Sequence, residues 1–219
     1  MEESRSNNYS WVAQLYDFLA HVYSMGQITA CKRSQLDVIE PGATILYAGA
    51  GGAIDAVMAA KAGARVTIVD LSQGMIDVAR ERLKKNGVDD RVEVICGDML
   101  DHLRTYDIVV SNFFLNVFDV HGMRTMLHHL MQRVRPGGKL LISDFRPVQG
   151  SWPVRLFQRF YYGLAMWAFV LTAKNAIHPI YDYRPLLEES GLDVVEERDF
   201  QLFRGGPSIY RVWFGYRVA

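Results

Sequence analysis

Several features that define common protein classes are scarce in this chain. Its two cysteines, Cys31 and Cys96, form no CxxC pair and are too few for a disulfide framework or a cysteine metal site. The 24 lysines and arginines are balanced by 24 aspartates and glutamates, whereas a protein that neutralises many phosphates usually carries a basic surplus. We therefore expect a protein of the reducing cytoplasm whose main partner is not nucleic acid.

Signals for secretion, hydrolysis, phosphoryl transfer and metal binding are also missing. The polar opening MEESRSNNYS has no apolar core of a signal peptide, so secretion is not expected. The sequence contains no GxSxG or P-loop motif, which argues against a hydrolase or a kinase. Three histidines on a predicted helix over 121–134 lack an HExxH motif or a nearby cysteine, and we expect no metal there.

The chain does contain enough apolar material for one domain, since half of its 219 residues are hydrophobic. Helical spacing of apolar residues predicts an opening helix over 9–25. Three further helices are predicted: one that ends at about Ala62, one from Ser72 to about Asn86, and one over 121–134. Five short apolar runs between them predict strands, at Thr44–Ala48, Arg65–Val69, Val92–Cys96, Tyr106–Val110 and Lys139–Ser143.

Strands that alternate with helices imply a parallel sheet covered on both faces, because right-handed crossovers place helices there. A further helix near Arg184–Ser190 and two antiparallel strands, near Asp193–Phe203 and Ile209–Val218, complete the prediction. The fold class is α/β: a doubly wound, Rossmann-like, mostly parallel seven-stranded sheet with helices on both faces and an antiparallel C-terminal hairpin.

The most informative segment is ILYAGAGGA at 45–53, an apolar strand that leads into glycines and then a helix. Glycines let the backbone approach a ligand closely, and a helix N-terminus offers free N–H donors. The next strand ends in Asp70, whose carboxylate can accept hydrogen bonds from the two hydroxyls of a ribose. Together they indicate an adenosine cofactor. The dinucleotide pattern GxGxxG is incomplete because its last position is Ile54.

The successive motifs ILYAGAGGA, VDLSQGMIDVARERLK, GDML, YDIVVSNFFLNVF and VRPGGKLLISDF resemble those of class I S-adenosylmethionine-dependent methyltransferases. The opening WVAQLYDFLAHVYSMGQ is similar to the start of the ubiquinone/menaquinone C-methyltransferase group. The resemblance covers roughly residues 11–146. It implies S-adenosyl-L-methionine as the cofactor, and it implies cofactor contacts at Tyr16, Tyr47, Gly49, Ala50, Gly51, Asp70, Leu71, Met75, Asp98, Met99, Asn112 and Phe113.

Within that set, the resemblance places the glycine loop near the methionine part, Asp70 on the ribose, and Asp98 on the adenine amino group. Leu71, Met75 and Met99 would lie against the adenine ring. The chain departs from the family at position 47, where Tyr47 replaces a common acidic residue. The charge of the cofactor's ammonium group is then left to carbonyls, water or another residue, unless the site serves altered chemistry.

Catalytic residues are harder to predict, because alignment and desolvation can supply most of the rate of methyl transfer from a sulfonium. A base assists where the acceptor must lose a proton, and histidine suits that role near neutral pH. His178 and Tyr181 follow the aromatic segment, where this fold usually builds its substrate side, and Asp144 ends the fifth predicted strand. These three residues are our catalytic candidates.

Aromatic residues are concentrated at 152–169, and Phe160–Ala173 contains no charge. As a helix, those residues would span about 21 Å, less than the roughly 30 Å of a bilayer core, so a transmembrane helix is not expected. Three interpretations stay open: a core or homodimer helix, a lid over an apolar acceptor, or an interfacial helix at 152–173 that contacts a membrane peripherally. Arg155, Arg159 and Lys174 would mark its polar margin.

These observations predict an enzyme that transfers a methyl group to a small, largely apolar or aromatic acceptor, quinone-like or lipid-like. The alternatives are non-methylating chemistry with the same cofactor and a non-catalytic binding protein on the same fold. We expect a single domain over 1–219. It divides into an N-terminal helical cap (1–40), a cofactor-binding half (41–146), an aromatic helical insertion (147–182), and a C-terminal helix and strands (183–219).

Overall fold

The computed structural model describes residues 21–173 and 180–218, with side chains described up to residue 164 and again from residue 180. Seven strands form one sheet: β1 Thr44–Ala48, β2 Arg65–Asp70, β3 Val92–Cys96, β4 Tyr106–Asn112, β5 Val134–Phe145, β6 Leu192–Gln201 and β7 Ser208–Arg217. The described helices are α1 Gln27–Ser34, α2 Ile54–Lys61, α3 Gln73–Lys85, α4 Val120–Gln132, α5 Trp152–Ala173 and α6 Tyr183–Glu189.

The strand order is β3-β2-β1-β4-β5-β7-β6. The first five strands pair in parallel, whereas β7 runs antiparallel to both β5 and β6. This confirms the predicted fold class, including the antiparallel C-terminal hairpin. The chain order reverses direction across the sheet between β1 and β4, which is the position where open α/β sheets bind ligands.

Alternate side chains along the strands enter two separate hydrophobic clusters. On one side, here called face A, Ile45, Tyr47 and Val110 pack with residues of α1, α2, α3 and α5. On the opposite side, face B, Leu46 and Trp213 pack with residues of α4 and α6. Helices therefore cover both faces, as the alternation of strands and helices predicted.

The fifth strand is longer than predicted, because the Pro136-Gly137-Gly138 turn is contained within β5 instead of preceding it. The pairing shifts register between Tyr106–Val134 and Ile108–Lys139, so the extra residues bulge out opposite Asp107. A Cβ atom at Gly138 would lie 2.8 Å from the Asp107 carbonyl oxygen. Glycine is required there by this close approach of the two backbones.

At the start of the described chain, the helix predicted over 9–25 ends close to its predicted boundary, and a second helix that was not predicted follows it. Residues 21–24 are helical, but Met25 and Gly26 take left-handed backbone angles, with φ of 50° and 80°, and interrupt the helix. A second helix, α1, follows; its sequence QITACKRS holds few apolar residues, so helical periodicity did not reveal it. The rest of the predicted 9–25 helix lies outside the described residues. In the part of the chain that the structure describes, no helix meets the length and hydropathy of a membrane span.

Candidate functional site

The glycine loop connects β1 to α2 at the carboxyl end of the sheet. Gly49 has φ of 84°, and a Cβ atom at this position would lie 3.0 Å from the ring of Phe114. Its amide donates a hydrogen bond to the Val69 carbonyl of β2 at 2.9 Å. At Gly51, φ is 46°, and apart from its chain neighbours no atom of the described residues lies within 4 Å of the position of a Cβ. The loop thus bends sharply at Gly49 and leaves open space beside Gly51.

Asp70 connects this loop to the end of β2. Its two carboxylate oxygens accept hydrogen bonds from the backbone amides of Ala50, at 2.7 Å, and Ser72, at 2.8 Å. The next residue, Leu71, is 76% exposed, and Met75 is half-buried one turn further on. An acidic group and an open apolar surface therefore lie side by side next to the loop.

Asp98 and Met99 follow β3, and their side chains point in different directions, that of Asp98 to solvent and that of Met99 to the core. Asp98 is exposed and its carboxylate accepts from the Leu100 amide at 2.9 Å, which caps a single helical turn. That turn directs Met99 inward, and its side chain is buried in the face B cluster. The placement of Met99 beside an adenine ring stays a prediction, with its side chain packed in that cluster.

A buried polar cluster on face A begins at Asn112, the last residue of β4. Its amide nitrogen donates to the Asp55 carboxylate at 2.8 Å and to the Gln35 side chain at 3.1 Å. Gln35 in turn donates to Asn112, at 2.7 Å, and to Ser143 of β5, at 2.9 Å. Lys32 of α1 forms an ion pair with Asp55 at 3.3 Å. We call these five residues the polar cluster.

Sequence reasoning found only Asn112 among these residues. A signal was present, since Asp55 is a lone acidic residue in the otherwise apolar first half of α2. Buried carboxylates of this kind are rarely found without a partner or a function. Lys32 and Gln35 could not be placed, because they belong to the polar stretch around α1 whose folding was not predicted.

Tyr47 does not reach the open part of the site. It is buried, and its hydroxyl lies 3.4 Å from the carbonyl oxygen of Asp55, to which it donates. Burial, and secondarily the nearby Asp55 charge, raises the pKa of Tyr47 well above its ordinary value. The Tyr47 side chain points across face A towards α2, and its contact with a cofactor stays a prediction. The carboxylate in this region belongs to Asp55.

Aromatic rings fill the space beyond Asn112, at the carboxyl ends of β4 and β5. Phe113 has a left-handed backbone with φ of 54°, a strained conformation for a large side chain. Its ring meets the edges of Phe145, at 6.1 Å between centroids, and Tyr210, at 5.8 Å. Tyr161 and Tyr162 of α5 extend the group. We call these five residues the aromatic group.

The hydroxyls of the aromatic group are hydrogen-bonded within the protein. Tyr161 and Tyr210 share a hydrogen bond of 3.0 Å, and Tyr162 donates to the Arg146 carbonyl at 2.8 Å. Burial raises the pKa of all three phenols above the ordinary value. They stay protonated at neutral pH, so the group offers an apolar surface and no proton acceptor.

The candidate Asp144 lies on face B, because it alternates along β5 with Phe145, which faces the aromatic group on face A. Its carboxylate accepts from Tyr183 at 2.6 Å and Asn116 at 2.8 Å, deep in the protein. Burial raises the pKa of Asp144 to about 6, and these hydrogen bonds oppose the rise. The oxygens of Asp144 join β5 to α6 and to the loop after β4, and its catalytic role stays a prediction.

Tyr181, the second candidate, is buried on the same face and donates to the Phe118 carbonyl at 2.9 Å. Burial raises the pKa of Tyr181 above its ordinary value, so it too stays protonated near neutral pH. The third candidate, His178, lies outside the described residues, as does Tyr16. Among the described residues, the predicted cofactor contacts lie towards the carboxyl end of the sheet, whereas the catalytic candidates Asp144 and Tyr181 are buried on face B.

Comparison with known proteins supports the interpretation of this end of the sheet. Residues 45–138 match the family model described as a methyltransferase domain. The chain is 30% identical over 137 residues to the demethylmenaquinone methyltransferase of Corynebacterium glutamicum, which covers 61% of this chain and 56% of that protein. It is 40% identical over 84 residues to the malonyl-[acyl-carrier protein] O-methyltransferase of Priestia megaterium, covering 37% and 28%. The matched region thus spans about half the length of the first relative and less than a third of the length of the second.

Solved structures share the whole fold. An O-methyltransferase family protein from Burkholderia thailandensis has a TM-score of 0.72 at 20% identity, covering 100% of this chain and 63% of the other. The magnesium protoporphyrin IX methyltransferase from Synechocystis, solved with bound S-adenosylhomocysteine, has a TM-score of 0.66 at 18% identity, covering 90% and 84%. The fold, the matched motifs and the family model agree. Residues 45–138 thus match a methyltransferase domain, on a fold shared with S-adenosylmethionine-dependent methyltransferases.

Proposed function

We propose that this protein transfers a methyl group from S-adenosylmethionine to a small, largely apolar and aromatic acceptor. The observation that carries the proposal is the aromatic group directly beyond Asn112, at the carboxyl ends of β4 and β5. The cofactor supplies a methyl group already activated by its sulfonium. The chain binds both molecules, aligns them and excludes water.

Asp70 and the glycine loop bind the adenosine end. Each carboxylate oxygen of Asp70 accepts one backbone N–H, and a carboxylate oxygen has capacity for a second hydrogen bond. These remaining positions would hold the ribose hydroxyls. The open space beside Gly51 would admit the chain of the cofactor, and the exposed Leu71 side chain would offer an apolar surface to the adenine.

Lys32 and Asp55 bind the amino acid end. This end of S-adenosylmethionine carries an ammonium and a carboxylate on one carbon, and Lys32 and Asp55 carry the two complementary charges 3.3 Å apart. Both side chains are nearly buried, so their interaction with a ligand charge is weakly screened. Asp55 thereby replaces the carboxylate that is missing at Tyr47. Asn112 orients Asp55 by donating to its carboxylate, and Gln35 holds Asn112 through its own amide.

The acceptor lies against the aromatic group. Phe113 presents its ring at the end of β4, held by an amide hydrogen bond to the Ser143 carbonyl of β5 at 2.8 Å. The phenols stay protonated and their protons are donated within the protein, so the aromatic group contacts an acceptor through its rings and cannot remove its proton. The relative from Corynebacterium glutamicum is named for a quinone substrate, which is consistent with an aromatic acceptor.

Transfer of an isotope-labelled methyl group tests this proposal. The purified protein is incubated with methyl-labelled S-adenosylmethionine and pairs of acceptors that share a reactive hydroxyl. One member of each pair is an apolar phenol or hydroquinone, and the other carries an added sulfonate. We expect label in the apolar members and several-fold less in the sulfonated ones, because the aromatic group offers a sulfonate no cation. Equal labelling of both members, or labelling of the sulfonated ones alone, would contradict the proposed acceptor.

A further inference from the structure

The first three turns of α5 present a row of large apolar side chains to solvent. Trp152 is 70% exposed, Leu156 61%, Phe160 66% and Leu164 47%. Their four-residue spacing places them within about a third of the helix circumference. We call these four residues the α5 stripe. A contiguous exposed row of this kind marks an interaction surface more often than a scattered set of apolar residues does.

Hydrogen bonds on the buried face of α5, opposite the stripe, fix the orientation of the helix. Gln158 is fully buried, donates to the Ser208 carbonyl at 2.9 Å and accepts from the Gln149 amide at 3.0 Å. Tyr162 donates to the Ile209 carbonyl at 3.1 Å. These contacts anchor α5 against the start of β7. The stripe therefore faces away from the core because the opposite face of the helix is bound to it.

The charged side chains on the exposed side of α5 are all positive. Arg155 and Arg159 are exposed along one margin of the stripe, and no acidic residue occurs between 152 and 164. Among the described residues, neither guanidinium has an ion-pair partner. The adjacent hairpin turn between β6 and β7 has the same character, with Phe203 49% exposed and Arg204 exposed.

We propose that the α5 stripe docks on the surface of an anionic lipid bilayer. Apolar side chains flanked by arginine are the pattern with which an amphipathic helix lies in the headgroup region, the rings entering the acyl boundary and the cations meeting lipid phosphates. A second copy of this chain fits the surface less well. In a symmetric pairing, the same arginines of both copies would face one another without an acidic residue from either stripe.

This docking goes beyond the proposed function and does not depend on it. It would bring the aromatic group, which includes Tyr161 and Tyr162 of the same helix, close to a lipid surface. An acceptor dissolved in the membrane could then reach the site without crossing water.

Vesicle co-sedimentation tests the docking. Phosphatidylcholine vesicles are compared with and without phosphatidylglycerol, at low and high salt. We expect binding to the anionic vesicles that weakens as salt rises. The double variant Arg155→Gln/Arg159→Gln should lower the partition coefficient by about 30-fold, or roughly 5-fold for each arginine. Phe160→Ser should lower it by about 10-fold, because it removes a large apolar ring from the contact.

Matched controls come from exposed residues elsewhere. Leu103→Ser removes a side chain that is 69% exposed, and Arg65→Gln removes an exposed cation; both should bind vesicles as the unmodified protein does. Equal binding to neutral and anionic vesicles, or equal effects of Phe160→Ser and Leu103→Ser, would overturn the proposal. The proposal would also be overturned if the unmodified protein failed to bind vesicles and formed a dimer, seen by analytical ultracentrifugation, that Phe160→Ser dissociates. S-adenosylhomocysteine binding, measured on each variant, should be unchanged, so that failure of the cofactor site is recognised separately.

Discussion

Asp70→Ala is expected to weaken the binding of S-adenosylhomocysteine by about 1–3 kcal/mol, because hydrogen bonds to a charged carboxylate contribute that much. The variant removes the acceptor of both ribose hydroxyls and also the link between β2 and the Ala50 amide. Isothermal titration calorimetry measures the change. Asp77→Ala is the matched control, since Asp77 is an exposed aspartate on the neighbouring α3 and should leave the affinity unchanged.

A ligand that lacks the ribose hydroxyls separates the two consequences of this substitution. For a 2′,3′-dideoxy analogue of S-adenosylhomocysteine, the affinities of the unmodified protein and of Asp70→Ala should differ less than they do for the parent ligand. If the variant instead weakens the analogue as much as the parent ligand, Asp70 acts through the loop alone and its assignment to the ribose is wrong.

Asp55→Asn is expected to weaken S-adenosylhomocysteine binding by about 2 kcal/mol, or roughly 30-fold, because a nearly buried charge then no longer faces the ligand's ammonium group. The binding of 5′-methylthioadenosine, which shares the adenosine and the sulfur but has no amino acid group, should change little. Asp70→Ala, by contrast, should weaken both ligands. Calorimetry with the two ligands therefore assigns each carboxylate to one end of the cofactor.

Two further variants complete this comparison. Lys32→Met should also weaken S-adenosylhomocysteine selectively, because it removes the cation that meets the ligand carboxylate. Asp37→Asn is the control, since Asp37 pairs with Arg198 at the surface, with its side chain 64% exposed. Thermal melting confirms that each variant is folded. Equal losses for both ligands in Asp55→Asn would show that Asp55 supports the loop and does not bind the amino acid end.

The strands and the glycine loop could be predicted because the information lies in short stretches of sequence. An apolar run, a glycine bend and an acidic strand end are each local, and a parallel sheet brings the carboxyl ends of its strands to one edge. The positions of Asp70 and Asn112 follow from this geometry. The same reasoning placed Asp144 at that edge but could not give its direction. A strand alternates its side chains between faces, so one residue of register decides whether a carboxylate meets the site or the core.

The residues that we propose for the amino acid end of the cofactor could not be predicted, because they come from distant parts of the chain. Lys32 lies on a short helix with little periodicity, and its partner Asp55 lies on a helix that looked wholly structural. Only the packing of α1 against α2 brings the two charges together. The departure at Tyr47 was visible in the sequence, but the residue that compensates for it was not. The predicted catalytic role of His178 and the division of the chain into functional parts stay predictions.

We assign the carboxyl end of β1, β2 and β4 to S-adenosylmethionine and not to a dinucleotide. Calorimetric titration of the unmodified protein with S-adenosylhomocysteine and, separately, with NAD distinguishes the two ligands. We expect saturable binding of S-adenosylhomocysteine and none of NAD, because the glycine loop lacks the last glycine of the dinucleotide pattern at Ile54. Binding of NAD, or no binding of S-adenosylhomocysteine at millimolar concentration, would contradict it.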